Sequence, residues 1–205
     1  MARIRIIFEK KGWITFLNHQ DLPVLFSRAA RRAGLLQEFT EGFSPHPRIS
    51  LGPALAAGVE GSDEPADFWF SFWDEGYVER WNEKLPEGIR IVDHAEVEGP
   101  SLSKLASAAT YRIRGAGFEL ESRALSVLRS EAERTGILYG DAQDKDSVIL
   151  TVGDLEHCGA GNLVRSLRDE GICEGWKDLY IVRECVGTWD VASGTVRPLI
   201  RCREV

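Results

Sequence analysis

The stretch Asp67-Phe68-Trp69-Phe70-Ser71-Phe72-Trp73 decides the class of fold. Phe68, Phe70 and Phe72 fall on one parity, and Asp67, Trp69, Ser71 and Trp73 on the other. A strand points successive side chains to opposite faces, so this is a strand with one aromatic face. Arg3–Glu9 upstream alternates in the same way, with Ile4, Ile6 and Phe8 on its apolar face. Between them Leu22, Leu25, Phe26, Ala29 and Ala33 recur at three- and four-residue steps. That spacing predicts a helix over 21–33, with Asp21 as N-cap, Pro23 in the first turn and Gly34 as the stop. Arg28, Arg31 and Arg32 share its opposite face. A short strand is expected near 36–40. Downstream, Tyr77–Leu85 reads as a helix, Pro86-Glu87-Gly88 as a turn and Ile89–Val97 as a strand. The order β-α-β-β-α-β is that of the split βαβ unit.

After a linker at 98–109 the order repeats. Strands are expected at 111–115, 137–139, 148–152 and 179–186, and helices at 120–135 and 162–170. A terminal hairpin with a Ser-Gly turn follows. The expected fold is α+β: two tandem ferredoxin-like (βαββαβ) units. Residues 1–98 form the first, with a long Gly/Pro-rich loop, and residues 110–205 the second, with the hairpin. In such a unit helices cover one sheet face. Arg3, Arg5, Trp69 and Trp73 would then lie on the open face, where arginines and aromatics suit unstacked RNA bases.

Composition narrows the function classes. The chain of 205 residues is 43% hydrophobic and 28% charged, which excludes wholesale disorder and a membrane bundle. No apolar run is long enough to span a bilayer, and the first 20 residues lack the apolar core of a signal peptide, so a cytoplasmic protein is expected. Cysteines at 158, 173, 185 and 202 form no CxxC pair and read as reduced thiols. The net charge of −7 is uneven. Residues 1–50 hold eight basic and four acidic residues, whereas 51–100 hold three and twelve. Nucleic-acid binding, if present, is therefore confined to a basic face of residues 1–50.

Residues 41–66 contain four glycines and four prolines, which exclude a helix and leave room for a very short strand at Ile49–Leu51. A connection this long inside a compact domain is usually functional or disordered, and its apolar residues argue against disorder. Within it, Ser44-Pro45-His46-Pro47-Arg48 fixes His46 between two prolines, presenting His46 and Arg48 with little entropy left to lose. Arg48 with Arg28, Arg31 or Arg32 offers a fork for phosphate or carboxylate. His19 and Asp21 stand at the start of the first helix. His19 and His46 are the candidate catalytic bases. His19, Asp21, His46 and Glu64 are candidate metal ligands by type. Asp21, Phe43, His46 and Ser50 are expected to line a recess between loop and helix. Equally, a bonded histidine here serves simply to staple the loop.

The residues Lys10, Gly12, Phe16, Leu17, His19 and Asp21, then Arg28, Arg31 and Arg32, then Gly42 to Leu51, Ala54, Leu55, Gly58, Val59, Glu64 and Asp67 carry a resemblance. They resemble the radical SAM-linked bacterial proteins, a domain of unknown function, densely over residues 10–70 and thinly beyond. Asn18 and Gln20 depart from the usual serine and leucine. The resemblance implies association with a radical SAM enzyme. This chain has no CxxxCxxC cluster motif, so that enzyme would be a separate partner. The expected function is an accessory, non-catalytic module that binds transfer or structured RNA through Arg5, Arg28, Arg31, Arg32, Arg48 and Trp69, with no cofactor. Three alternatives stay open: a protein-interaction scaffold for a radical SAM enzyme, an RNA-processing endonuclease-like protein, and a metal-binding protein.

Overall fold

The computed structural model describes residues 1–200. Strand β1 (Ala2–Lys10) leads through two short 3-10 turns to helix α1 (Leu22–Arg32), then to β2 (Ile49–Leu51) and β3 (Glu60–Phe70). Helix α2 (Tyr77–Asn82) and β4 (Ile89–Glu96) complete the first half. A four-residue helix α3 (Leu102–Leu105) interrupts the linker. The second half runs β5 (Ala108–Gly115), α4 (Ser122–Thr135), β6 (Ile137–Asp144), β7 (Ser147–Gly153), α5 (Ala160–Asp169) and β8 (Leu179–Asp190). The hairpin strand β9 (Thr195–Pro198) closes the described chain. Cys202 lies outside the described residues. Cys158 and Cys173 are buried, and burial raises both thiols above their ordinary range.

Two tandem ferredoxin-like units are not what forms. The strands make one nine-stranded mixed sheet in the order β4-β1-β3-β8-β5-β7-β6, with β2 added to β3 and β9 to β8. The joint is a parallel pairing of β3 with β8 through Glu60↔Val182 and Gly61↔Arg183, while the other pairings between strands are antiparallel. A parallel ladder between strands more than a hundred residues apart leaves no periodicity in either segment, so local reading cannot find it.

The element boundaries explain a second difference. β3 begins at Glu60, inside the Gly/Pro-rich segment, and stops at Phe70. Pro65 is tolerated because its neighbour β2 is so short that its ladder ends at Ala66. Beyond Phe70 the alternation fails. Phe72 is exposed, and Trp73 turns inward against Phe70 and Tyr77, away from the open face expected for it.

Two apolar clusters hold the molecule. In the first half Ile4, Ile6 and Phe8 of β1 and Phe68 and Phe70 of β3 meet Phe26 of α1 and Trp81 of α2. Phe26 packs edge-on against Phe8, Phe68 and Trp81, and the Trp81 indole N–H donates to the Phe26 carbonyl at 3.1 Å. These edge-to-face contacts add to simple burial. The second cluster joins β5, β7 and β8 to α4 and α5, and takes in Leu55 and Val59 from the first half's long loop. The sheet face opposite α1 is covered by the linker. Arg3 donates to the carbonyls of Gly99 and Pro100, and Leu102 of α3 is fully buried.

Candidate functional site

Helix α1 buries Leu22, Phe26, Ala29 and Ala30 and turns Val24, Arg28 and Arg31 outward. Gly34, at φ +77°, ends it in a left-handed conformation that suits glycine. The chain then doubles back along the end of β3. Glu38 N–H donates to Trp69 O (2.8 Å), Arg48 N–H to Glu38 O (2.7 Å), and Thr40 N–H to His46 O (2.9 Å). Residues 36–40 and 46–48 thus form a small flap, with isolated bridges Gln37↔Phe70 and Phe39↔Pro47 where a strand was expected. Between this flap and α1 lies an open cleft of about 820 Å³. Val24, Leu36, Phe39 and Ile49 give it apolar walls, and Arg28, Arg31 and His46 give it charge or hydrogen-bonding capacity.

Of the four residues expected to line a recess between loop and helix, only His46 lines this cleft; Asp21, Phe43 and Ser50 do not. His46 is fixed by Thr40, whose Oγ1 accepts from the His46 N–H at 3.2 Å and lies 3.1 Å from Nδ1. Among the described residues the side chains of Arg28 and Arg31 make no hydrogen bond or ion pair. Arg32 donates to the Lys84 carbonyl at 2.8 Å. One cleft-wall carboxamide is half satisfied: Gln37 Oε1 accepts from Ser27 Oγ at 2.8 Å, whereas Gln37 Nε2 is buried without a partner.

Other expected members of the site lie elsewhere. The guanidinium of Arg48 leaves the cleft and stacks over Trp69, 4.5 Å from the ring centroid, with Arg3 at 5.5 Å. Trp69 is thereby occupied by two cations of its own chain. Arg5 is buried, and its guanidinium donates to both carboxylate oxygens of Asp67 at 2.7 and 3.0 Å. Ser50 is half-buried in β2 opposite Asp67. Phe43 stands fully exposed at the tip of the flap, and Asp21 is exposed at the start of α1 without a side-chain cap.

His19 belongs to a different centre from His46. Lys10, Glu64 and Arg183 are buried at the joint between the halves. Arg183 grips Glu64 with two bonds (2.8 and 2.5 Å) and donates to the carbonyls of Pro53 and Ala54 (2.8 and 3.0 Å). Lys10 Nζ donates to the carbonyls of Thr15 and Leu17 at 3.0 and 2.6 Å. His19 Nδ1 lies 3.5 Å from the Leu55 N–H. Gly61 makes the grip possible, since a Cβ there would sit 2.5 Å from Glu64 Cγ. Among the described residues no group of three or more His, Cys, Asp or Glu gathers to hold a metal, so His19, Asp21, His46 and Glu64 do not form the expected ligand set. Glu64 is instead committed to Arg183.

The charges follow from this packing. Burial works against the Arg183 charge, but Glu64 outweighs it and holds the guanidinium above its ordinary value. Burial lowers the Lys10 ammonium, with Glu64 partly opposing. Burial, then the Arg183 charge, lowers His19 below its ordinary 6.5. The neutral imidazole is the form the fold accepts. The unfolded chain takes up the proton first, so stability holds above about pH 6.5 and falls as pH drops through the folded value. The loss of stability between pH 7.5 and 5.5, measured by urea unfolding, should be smaller in His19→Gln than in the wild type. Equal losses would show that His19 does not contribute.

Arg183 escaped the motif reading, yet it left a trace. It shares parity with Leu179 and Ile181, which are buried in the first part of the same strand. A lone arginine on an apolar parity needs a buried partner.

Comparison with known proteins adds the following. A family model described as "Uncharacterized protein conserved in bacteria (DUF2344)" matches residues 3–142. The match contains α1, the flap, the cleft and β1–β5, and extends through α4. No curated protein matches. Among solved structures, the chain is similar to a microcompartments protein from Desulfitobacterium hafniense DCB at 10% identity over 89% of this chain and 95% of that one, with a TM-score of 0.24. A likeness that low carries no argument. Among the described residues no helix is long and apolar enough to cross a membrane. With most of its length inside one family model, the chain belongs to the bacterial family described as uncharacterized conserved proteins, DUF2344.

Proposed function

We propose that the chain is an accessory RNA-binding module and that the cleft between α1 and the flap is its contact surface. The observation that carries this reading is the pair Arg28 and Arg31, without internal partners, on the wall of an apolar cleft. Two free guanidiniums suit phosphate oxygens, and an apolar slot with the exposed Phe39 at its edge suits an unstacked base. Stacking of this kind contributes about 1–3 kcal/mol per base. Arg5 and Trp69 drop out of the contact surface because Asp67, Arg3 and Arg48 already occupy them.

A separate radical SAM enzyme is the proposed working partner, on the strength of the motif resemblance over residues 10–70. Copurification with such an enzyme after nuclease treatment tests that part independently.

Binding is tested by fluorescence anisotropy with a labelled single-stranded octauridylate across a salt series. The double variant Arg28→Gln/Arg31→Gln should weaken binding at least about tenfold, as expected when charged hydrogen bonds are lost. Its slope of log affinity against log salt should become shallower by about 1.4, taking about 0.7 per lost phosphate contact on a single strand. Unchanged affinity and slope would remove the RNA reading.

A further inference from the structure

A second concavity adjoins the first. It measures about 500 Å³ and lies between α1 and the Pro86 turn, with Leu17, Asp21 and Leu25 in its wall. Val24 and Arg28 line both hollows. Arg31 lines only the first, and Arg32 only the second. The outer face of α1 is thus a ridge between two slots, with an unpartnered guanidinium on the crest and one arginine in each slot.

Resting on the RNA reading above, we propose that the ligand is an extended single strand that crosses α1 and occupies both slots at once. One base enters the slot under the flap and the next enters the slot beside Pro86. The phosphate joining them lies on Arg28. Arg31 and Arg32 meet the outer phosphates of this two-nucleotide step. The alternation of apolar hollow and arginine across α1 has the same order as a single strand, in which each base is followed by one phosphodiester. A duplex keeps its bases stacked inside and does not offer them to two separate slots. Asp21, the acceptor in the second slot, suits a ribose hydroxyl or an exocyclic amine and disfavours phosphate there. It gives the second slot a chemical preference that the first lacks.

The test compares uridine 5′-monophosphate, octauridylate and oligoglutamate as anisotropy competitors on the intact chain. Because both slots contribute only to a linked ligand, octauridylate should bind at least about thirtyfold more tightly than the mononucleotide. Arg32→Gln and Pro86→Glu, confined to the second slot, should each weaken octauridylate about five- to tenfold and the mononucleotide by a clearly smaller factor. Arg28→Gln should weaken octauridylate more than either. An unchanged thermal midpoint in the variants shows that they remain folded. If both second-slot variants keep full octauridylate affinity while Arg31→Gln loses it, RNA occupies one slot only; the crossing is then wrong and the RNA reading stands. If wild-type chain binds no octauridylate, or binds oligoglutamate equally well, both fall.

Discussion

Arg183→Met is expected to destabilise the chain by about 3–5 kcal/mol, the usual cost of removing one partner from a buried ion pair. Arg183 has no exposed surface, and Glu64 is 3% exposed. Without the guanidinium, Glu64 retains a charge that water cannot reach, and the carbonyls of Pro53 and Ala54 lose their donor. The pair need not itself be strongly stabilising. Withdrawing two ions from water costs several kcal/mol each, so a double replacement, Arg183→Met with Glu64→Leu, should recover much of the loss. Urea unfolding of the four proteins forms a double-mutant cycle. Each single variant should be the least stable, with the double variant between them and the wild type. Additive losses would mean that the two side chains act independently. A shape effect is also expected. Beyond this contact, the halves are joined by a two-pair parallel ladder and by Leu55 and Val59 packing into the second half's cluster, while the first half's main apolar cluster stays separate. In Arg183→Met the single transition should broaden or split as the halves melt apart.

The second large effect is expected at Asp67. Its carboxylate is fully buried and takes donors from both Arg3 and Arg5. Asp67→Ala should cost about 3–5 kcal/mol, because Arg5, itself 2% exposed, is left with no counter-ion. Arg3 reaches the linker carbonyls and the surface, so Arg3→Gln should cost much less, about 1 kcal/mol. Arg5→Gln separates structural from binding roles. It should lower the denaturation midpoint and leave the octauridylate affinity of the folded protein unchanged. Reduced RNA affinity at unchanged stability would put Arg5 back on the binding surface.

These two clusters show why the residues between 10 and 70 are so rich in apparent chemistry. Lys10, His19, Glu64 and Asp67 read as candidate ligands or as parts of a motif, and the fold uses them to close its own interior. His46, Arg28 and Arg31 are the members left facing an open cleft. No local pattern separates the two groups, since a histidine beside a proline looks the same whether its ring faces a cleft or a carbonyl. Burial makes the distinction, and burial depends on what the rest of the chain places on top. The linker is an example: reading it as a spacer gave Arg5 an open face, and its α3 turn covers that face.

What the amino-acid sequence determined by itself is local. The alternation in β1 and β3, the apolar stripe of α1, the stop at Gly34, the short β2 at Ile49–Leu51 and the terminal hairpin are each written within a dozen residues. Side-chain parity and turn stereochemistry act over that range. The tertiary structure alone decided that the two halves share one sheet, that Arg183 reaches Glu64 across 119 residues, and that Arg48 abandons the cleft for Trp69. Each of these is a contact between segments whose own patterns are already complete. Which segments meet is settled by the free energy of packing the whole chain, in which a buried charge accepts only the partner that arrives beside it.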